Sequence, residues 1–223
     1  MTSTAHLQEP TDKPPAARRQ RAGSRTHEQA TLRDGSQVRV RHIAAGDQRA
    51  LLAFMQRLSP ESRRLRFFSP ACDLESAASW AAGADGIDHL GLVAIGSHGQ
   101  ILGHAACVRM YGPRAEVAVE VAESSRHQGL ATILITRLAR EAEQKQIRHF
   151  VAEVLPDNHE MLAVFRDGFD ASRHVADGEV DIEFPTAAWR LPESLLADPE
   201  PEHARLIRAA GGSPGAGTFS AQR

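Results

Sequence analysis

The feature that most constrains this chain is an abrupt change of hydrophobic period near residue 129. Residues 114–122 alternate strictly between apolar and polar or small side chains, as a half-buried strand requires. From residue 129 to residue 146 the apolar residues recur at helical spacing instead. The turn between these segments contains Gly129 and Ala131, so a strand leads through small residues into a helix N-terminus. Such a turn directs several unpaired backbone N–H groups to one point, which predicts an anion site suited to a pyrophosphate.

Two other phosphate-binding patterns are missing from the sequence. No segment reads G-x-x-x-x-G-K-[ST], which excludes a P-loop, and none reads G-x-G-x-x-G, which argues against a dinucleotide-binding turn. The formal net charge of -2 gives no strong field toward nucleic acid or a membrane surface, so neither is expected as a partner. The eleven histidines do not fall at metal-ligand spacing, and no metal site is expected.

Cysteine usage and hydropathy indicate the compartment. Cys72 and Cys107 are too far apart in sequence to form a redox dithiol motif, and a reducing compartment fits them best. No apolar run approaches the length of a membrane span, and the amino terminus lacks a hydrophobic signal core. A cytoplasmic protein is therefore expected.

The two ends of the chain differ in composition from its middle. Residues 1–30 contain one large aliphatic residue, three prolines and the basic run Arg18-Arg19-Gln20-Arg21, which predicts a disordered tail. The basic run either contacts an acidic partner or is solvated. Residues 191–223 are predicted to be a mostly flexible extension because they end in a glycine-rich stretch. The folded domain is expected over residues 31–190.

Periodicity and turn residues predict the elements of that domain. They are a hairpin around Asp34-Gly35, helices over 47–57, from Pro60 toward Phe67 and over 73–82, strands over 89–97, 100–111 and 114–122, a helix over 129–146, a strand over 147–155, a helix from Asn158 that stops at Gly168, and a hairpin around Asp177-Gly178. This order predicts an α/β fold with a mostly antiparallel mixed sheet and one strand–helix–strand crossover.

Several motifs in this order resemble one known family. Arg126-His127-Gln128-Gly129-Leu130-Ala131 is similar to the [Q/R]-x-x-G-x-[G/A] signature of the GNAT superfamily of N-acetyltransferases. Ala152-Glu153-Val154-Leu155-Pro156-Asp157-Asn158 resembles the family's next strand and loop. Leu58-Ser59-Pro60-Glu61-Ser62-Arg63 and Leu65-Arg66-Phe67-Phe68 resemble the branch of bacterial protein-lysine acetyltransferases of the Pat type. The resemblance covers residues 32–184 and implies an acetyl-CoA-dependent enzyme whose two central strands splay apart.

The resemblance also implies which residues would bind acetyl-CoA and which would do chemistry. Glu116 matches the position of the general-base glutamate in the protein-acetylating branch, and Glu120 is a second candidate on the same strand face. A base is needed because a lysine amine has a pKa of about 10.4, so well under ~1% of it is unprotonated at neutral pH. The implied acetyl-CoA contacts are the backbone of Val119 and Val121, the loop residues Arg126, His127, Gln128, Gly129, Leu130, Ala131 and Thr132, and Asn158.

Each of these assignments has a structural alternative. An alternating strand with glutamates on one face is commonly a half-solvated strand, and Asn158 is also a good helix cap. His104 either faces the cleft or has a structural role. Many relatives carry a tyrosine that reprotonates the CoA thiolate, where this chain has Phe165, and its only tyrosine is Tyr111.

Two smaller departures and three functions stay open. The segment after Asn158 is about one residue shorter than usual, so its helix is expected to be distorted, and Gln146 replaces a helix-ending glycine. The functions are acetylation of protein lysines, acetylation of a small amine, and a catalytically silent acyl-CoA-binding sensor. The sequence indicates neither the acceptor nor the oligomeric state.

Overall fold

The computed structural model describes residues 28–176 and 178–188. Its strands and helices are β1 (Glu28–Thr31), β2 (Gln37–His42), α1 (Gln48–Arg57), α2 (Pro60–Phe67), α3 (Leu74–Ala82), β3 (His89–Ile95), β4 (Ile101–Arg109), β5 (Arg114–Val121), α4 (Leu130–Gln144), β6 (His149–Val154), α5 (His159–Phe169), β7 (Ser172–Ala176) and β8 (Glu179–Pro185). Short 3-10 turns lie at Ala45–Asp47, Glu123–Ser125 and Thr186–Ala188.

The eight described strands form one sheet in the order β1-β2-β3-β4-β5-β6-β8-β7. Every neighbouring pair is antiparallel except β5 and β6, which are parallel and joined through α4. A parallel pair needs a crossover connection of this kind, whereas antiparallel neighbours can be joined by short hairpins. The predicted α/β class, with a mostly antiparallel mixed sheet and one crossover, is confirmed.

Helices cover the two faces of the sheet unequally. Apolar residues of α4 and α5 pack with the sheet in the larger hydrophobic core, which includes Leu134, Phe150 and Phe165. Residues of α1 and α3, such as Phe54 and Ala78, form a second core on the opposite face. On that second face the side chains of β6, β8 and β7 remain largely exposed, because α1–α3 pack toward the β2–β5 half of the sheet.

Capping side chains begin three of the helices where the sequence predicts them. The Ser59 hydroxyl accepts a hydrogen bond from the Ser62 N–H at the start of α2, with Pro60 in the first turn. The Asp73 carboxylate accepts bonds from two backbone N–H groups of α3. The Asn158 side chain accepts one from the Met161 N–H at the start of α5. These starts can be read from sequence because a cap acts over only three residues.

Two predicted boundaries differ from the structure. Strand β1 begins at Glu28, so Glu28 to Ala30 belong to the sheet rather than to the predicted tail 1–30. Arg137 of α4 donates hydrogen bonds to the Glu28 and Gln29 carbonyls, which fixes the start of this strand. The rest of that tail and the predicted extension 191–223 lie outside the described residues.

The second difference is at the end of α5. The helix continues through Gly168 to Phe169 and is terminated by Asp170, which adopts φ 50°. Aspartate tolerates this left-handed conformation better than most residues, so it can end a helix in place of glycine. Gly168 lies inside the helix near Thr132, where an added Cβ would come within 3.5 Å of the threonine methyl group. The distortion expected for this helix is not observed, since it runs for eleven residues without interruption.

Within the described ranges, no helix combines the length and the apolar character that a membrane crossing requires.

Candidate active site

The parallel strands β5 and β6 separate after a short paired segment. Their register consists of Arg114 with His149, Ala115 with Phe150 and Glu116 with Val151. Beyond these residues the strands diverge, and a cleft of about 600 Å³ opens between them. It is lined by β5, the start of α4, β6, one side of α5 along most of its length and one side of α2. The splayed strand pair implied by the family resemblance is therefore present.

The loop at the open end of the cleft has the backbone geometry of an anion site. A 3-10 turn at Glu123–Ser125 is followed by His127 with φ 59° and Gly129 with φ 83°, and α4 begins at Leu130. Two left-handed residues so close together turn the chain sharply and aim successive N–H groups inward. The first N–H groups of α4 have no acceptor within the helix and add the positive end of its dipole.

The structure brings nearly all of the sequence-predicted site residues to this one cleft. Those that line it are Glu116, Val119, Glu120, Val121, Arg126, His127, Gly129, Leu130, Ala131, Thr132 and Asn158. Gln128 is the exception among the predicted residues, and its backbone carbonyl accepts a hydrogen bond of 3.1 Å from the Arg33 N–H. Arg33, in the turn between β1 and β2, thus braces the loop from behind and also reaches the cleft wall.

Glu120 is buried in a network of charged and polar groups. Its carboxylate is 2.7 Å from the Arg66 Nε and 2.8 Å from the His104 Nδ1. Burial alone would raise the pKa of Glu120, but the positive charge of Arg66 and the contacts with His104 outweigh it and lower the pKa to about 2. A carboxylate with so little affinity for a proton is a weak general base. These contacts favour a positioning role for Glu120 and a structural role for His104, which does not line the cleft.

Glu116 lies on the same face of β5 in a very different setting. Its side chain is exposed and borders the cleft at the point where β5 and β6 part. The structure shows no ion pair or hydrogen bond to its carboxylate from the described residues. A solvent-accessible carboxylate at this end of the cleft can accept a proton from an approaching amine, directly or through water.

Arg126 and His127 are held by acidic residues around the loop. Arg126 donates a hydrogen bond of 2.7 Å to the Ser62 hydroxyl, and its guanidinium lies 3.6 Å from the Glu160 carboxylate. His127 Nε2 is 3.3 Å from the same carboxylate. The side chains of both loop residues therefore point to α2 and α5, so their backbone groups are what they offer to an anion.

Glu123 ties the same loop to α2. Its carboxylate accepts hydrogen bonds from the Ser62 hydroxyl at 2.5 Å and from the Ser59 N–H at 2.9 Å. Burial would raise the pKa of Glu123, but these hydrogen bonds outweigh it and lower the pKa to about 2. Helix α2 is thus anchored to the loop at its start and, through Arg66 and Glu120, to β5 near its end.

No tyrosine lines the cleft among the described residues. Phe165 lies in the region where many relatives have a tyrosine. It is buried and packs its ring against Phe169 and Phe184. Tyr111 is fully exposed in the turn between β4 and β5. Gln146 adopts φ 63°, the conformation that the glycine of many relatives would take without strain.

Three residues of the site were not identified from the sequence. Arg66 pairs with Glu120, Glu160 pairs with the loop, and Phe68, with φ 56° and a partly exposed ring, forms part of the cleft wall. Arg66 and Phe68 do lie in the segment that resembles the Pat branch, which was the available signal. No sequence signal distinguishes Glu160, because acidic residues are common in the first turn of any helix.

Comparison with known proteins agrees with this geometry. The Acetyltransferase (GNAT) family profile matches residues 51–169. The chain belongs to the GNAT acetyltransferase family. The GNAT domain of Pat from S. lividans is 32% identical, with a TM-score of 0.66, and the match covers 71% of this chain and 96% of that one. The chain is thus an acyl-CoA-dependent N-acetyltransferase, and the GNAT family uses acetyl-CoA as cosubstrate.

More distant solved structures share the fold. A ribosomal-protein-alanine N-acetyltransferase from Brucella melitensis is 23% identical with a TM-score of 0.52, and the match covers 66% of this chain and 97% of that one. A cAMP-binding acyltransferase from Mycobacterium smegmatis is 23% identical with a TM-score of 0.53, covering 83% of this chain but only 54% of that longer one. No curated protein sequence matches the chain.

Residues 28–176 and 178–188 contain no group of three or more histidine, cysteine or acidic side chains arranged to hold a metal ion.

Proposed function

We propose that this GNAT enzyme transfers the acetyl group of acetyl-CoA to the side-chain amine of a protein lysine, with Glu116 as general base. One observation carries the proposal: the free edge of β5 connects an anion-binding loop at one end with an exposed carboxylate at the other. The residues between them, Val119 and Val121, would bind the pantetheine arm through their backbone. The amides of residues 127–132 would hold the pyrophosphate, with Asn158 beside it.

The dimensions of the cleft fit this assignment. Five residues separate Val121 from Glu116, which is about 17 Å along a strand at ~3.3 Å per residue. The pantetheine arm has about as many chain atoms as four extended residues of polypeptide, and therefore spans about 14 Å. With the pyrophosphate on the loop, its thioester would lie close to the row of Val117 and Glu116. That is where the proton acceptor is needed.

The reaction then follows from the groups available there. Glu116 removes a proton from the lysine ammonium, and the amine nitrogen attacks the thioester carbonyl carbon. A backbone N–H on the free edge of β5 in the row of Val117 and Glu116 stabilises the oxyanion. As the C–S bond breaks, the nitrogen passes its second proton to water, the neutral amide forms and CoA is released as a thiolate. Because no phenol lines the described cleft, the thiolate leaves without a side-chain acid and takes its proton from water.

Two observations support a protein acceptor, and a third supports a reducing compartment. The cleft opens at its Glu116 end onto the exposed face of β6, β8 and β7, which can accommodate a polypeptide segment as well as a small amine. The relative with 32% identity is the GNAT domain of a Pat protein. Both cysteines of the described region are unpaired, which is the state expected in the cytoplasm.

A second candidate function rests on Phe165. Since this position lacks the phenol found in many relatives, the cleft could bind acetyl-CoA as a sensor without turnover. Binding and chemistry separate the two candidates. Acetyl-CoA is titrated by calorimetry, and CoA thiol release is then measured with a lysine peptide, a peptide with a free N-terminal alanine and a polyamine.

We expect saturable binding and thiol release with the lysine peptide at the highest kcat/KM. Preference for the polyamine would indicate a small-amine acetyltransferase, and preference for the alanine peptide an N-terminal one. Binding without thiol release from any acceptor would establish the sensor and contradict the enzyme.

A further inference from the structure

A groove of about 430 Å³ lies on the open sheet face beside the active-site cleft. Both cavities are lined by Glu116, Ala152 and Glu153, so the groove leads directly to the proposed base. Its floor is formed by β5, β6, β8 and β7, and Met110 and Val151 give it apolar contact surface. An extended segment of polypeptide fits this position, since its side chains could enter the cleft at Glu116.

The lining of the groove has more acidic than basic residues: four carboxylates, Glu116, Glu153, Asp181 and Glu183, against the arginines Arg114 and Arg173 and one histidine, His174. The register places Glu116 beside Val151, and Glu153 opposite Asp181, so these carboxylates share one face. Glu183 is paired with Arg114 at 2.5 Å. Burial raises the pKa of Glu153, and the neighbouring charges of Glu179, Glu116 and Asp181 raise it further. Like charges held this close repel one another, and a cationic occupant would relieve that repulsion.

The chain itself contains a segment of matching charge outside the described residues. Residues 11–25 carry one lysine, four arginines and a single aspartate. Lysine is otherwise very scarce, since the whole sequence has 24 arginines but only two lysines, Lys13 and Lys145. The one lysine of the basic segment is thus also one of the only two acceptor side chains that this enzyme carries.

The segment can reach the groove. Glu28, the first described residue, lies in the same cross-strand row as Val121, through Val40, Ala94 and Gly103. From Glu28, the Glu116 end of β5 lies four strand spacings across the sheet, about 19 Å, and five residues along the strand, about 17 Å. The direct separation is therefore about 25 Å. The fifteen residues from Lys13 to Glu28 span up to about 50 Å. The segment is thus about twice as long as the direct separation, which allows a path around the helices.

We propose that residues 11–25 dock in this groove and that the enzyme acetylates its own Lys13 in cis, an activity that rests on the acetyl transfer proposed above. Glu116 takes the proton from the Lys13 ammonium. The Nζ then attacks the thioester carbon, and the C–N bond forms as the C–S bond breaks. The nitrogen passes its second proton to water, and CoA leaves as the thiolate. The product amide carries no charge. Acetylation therefore weakens docking of the segment and vacates the groove for other acceptors.

The test uses the full-length protein, acetyl-CoA and site-resolved mass spectrometry over time. Lys13 should be acetylated while Lys145, the internal control, is modified only slowly. The first-order rate constant should not depend on protein concentration, because the acceptor is in the same molecule. Asp181→Lys should lower that rate about three- to tenfold by reversing a groove charge, and added salt should lower it as well. Glu75→Lys, an exposed charge reversal on α3, should leave the rate unchanged.

Five outcomes would overturn the proposal. A rate constant that rises with protein concentration would mean that Lys13 is modified between molecules. Equal modification of Lys13 and Lys145, or modification that persists in Glu116→Gln, would mean uncatalysed chemical acetylation. In another outcome, the Lys13→Arg variant acetylates a lysine peptide while Lys13 of the wild type stays unmodified. That result would support the proposed acetyltransferase activity and refute self-acetylation. If no acceptor of any kind is acetylated, the proposed acetyltransferase function is refuted, and self-acetylation with it.

Discussion

Glu116 and Glu120 show how environment separates two carboxylates that share one face of one strand. Glu120 is nearly completely buried and touches Arg66 and His104, whereas Glu116 is exposed at the cleft. The alternation of β5 predicts that both point the same way. It cannot predict their partners, because Arg66 is 54 residues away in the sequence and His104 is 16 residues away.

Glu120→Gln should destabilise the fold in a pH-dependent manner. The pKa of Glu120 is lowered in the folded protein to about 2 from an ordinary value of 4.5. The charged form thus stabilises the fold fully above about pH 4.5, and this contribution is lost as the pH falls through about 2. Removing one partner of a buried pair costs about 3–5 kcal/mol. Urea unfolding at a series of pH values should show this difference in unfolding free energy between wild type and Glu120→Gln at pH 7, and the difference should become smaller as the pH is lowered.

The exposed Glu116 provides the control, since Glu116→Gln should leave the unfolding free energy nearly unchanged at pH 7. A Glu120→Gln deficit that is equally large near pH 2 and pH 7 would mean that the charge of Glu120 does not stabilise the fold.

Gly129→Glu should abolish acetyl-CoA binding. The residue adopts φ 83° at the start of α4, and the substitution places bulk and negative charge where the pyrophosphate would lie. Wild-type protein at a ligand concentration 100 times Kd should gain about 2.7 kcal/mol of stability, seen as a higher Tm. Gly99→Glu is the matched control, because Gly99 has φ 79° and an added Cβ would meet no atom within 4 Å. Equal ligand-induced shifts in Tm for Gly129→Glu and Gly99→Glu would refute the site.

For helices and strands, the sequence predicts boundaries that depend on neighbouring residues and misses boundaries that depend on contacts distant in the chain. The capping side chains, the hairpin turns and the change of period at residue 129 act within a few residues, so the start of α4 and the loop before it were predicted. The start of β1 depends on Arg137, far along the chain, and the end of α5 on a left-handed Asp170. Composition and local pattern contain no signal for either.

Helix α2 depends on Glu123 for its attachment to the loop. Glu123→Gln removes the charge that accepts hydrogen bonds from the Ser59 N–H and the Ser62 hydroxyl. We expect faster amide hydrogen exchange in α2 and unchanged exchange in α4. Glu61→Gln, which alters an exposed acid of the same helix, is the control. Equal protection of α2 in wild type and Glu123→Gln would show that its attachment lies elsewhere.

For the whole molecule, the position of β1 revises where the chain can be shortened. A protein that begins at Glu28 should keep the sheet and bind acetyl-CoA. One that begins at Thr31 loses most of β1, including the buried Ala30 and the contacts of Arg137, so its Tm should be lower by several degrees. Differential scanning fluorimetry of the two proteins tests this. Equal Tm values would show that β1 contributes little to the fold.

The central claim is that Glu116 accepts the proton during acetyl transfer in this cleft. The measurement is the rate of CoA thiol release with a lysine peptide, from pH 6 to pH 9, for wild type, Glu116→Gln and Glu120→Gln. Glu116→Gln should lower kcat at neutral pH by about 10²–10⁴-fold with little change in acetyl-CoA affinity. Its deficit should narrow as the pH rises, because more of the acceptor amine is already deprotonated. A Glu116→Gln enzyme that turns over like the wild type, with Glu120→Gln folded but inactive, would contradict the account.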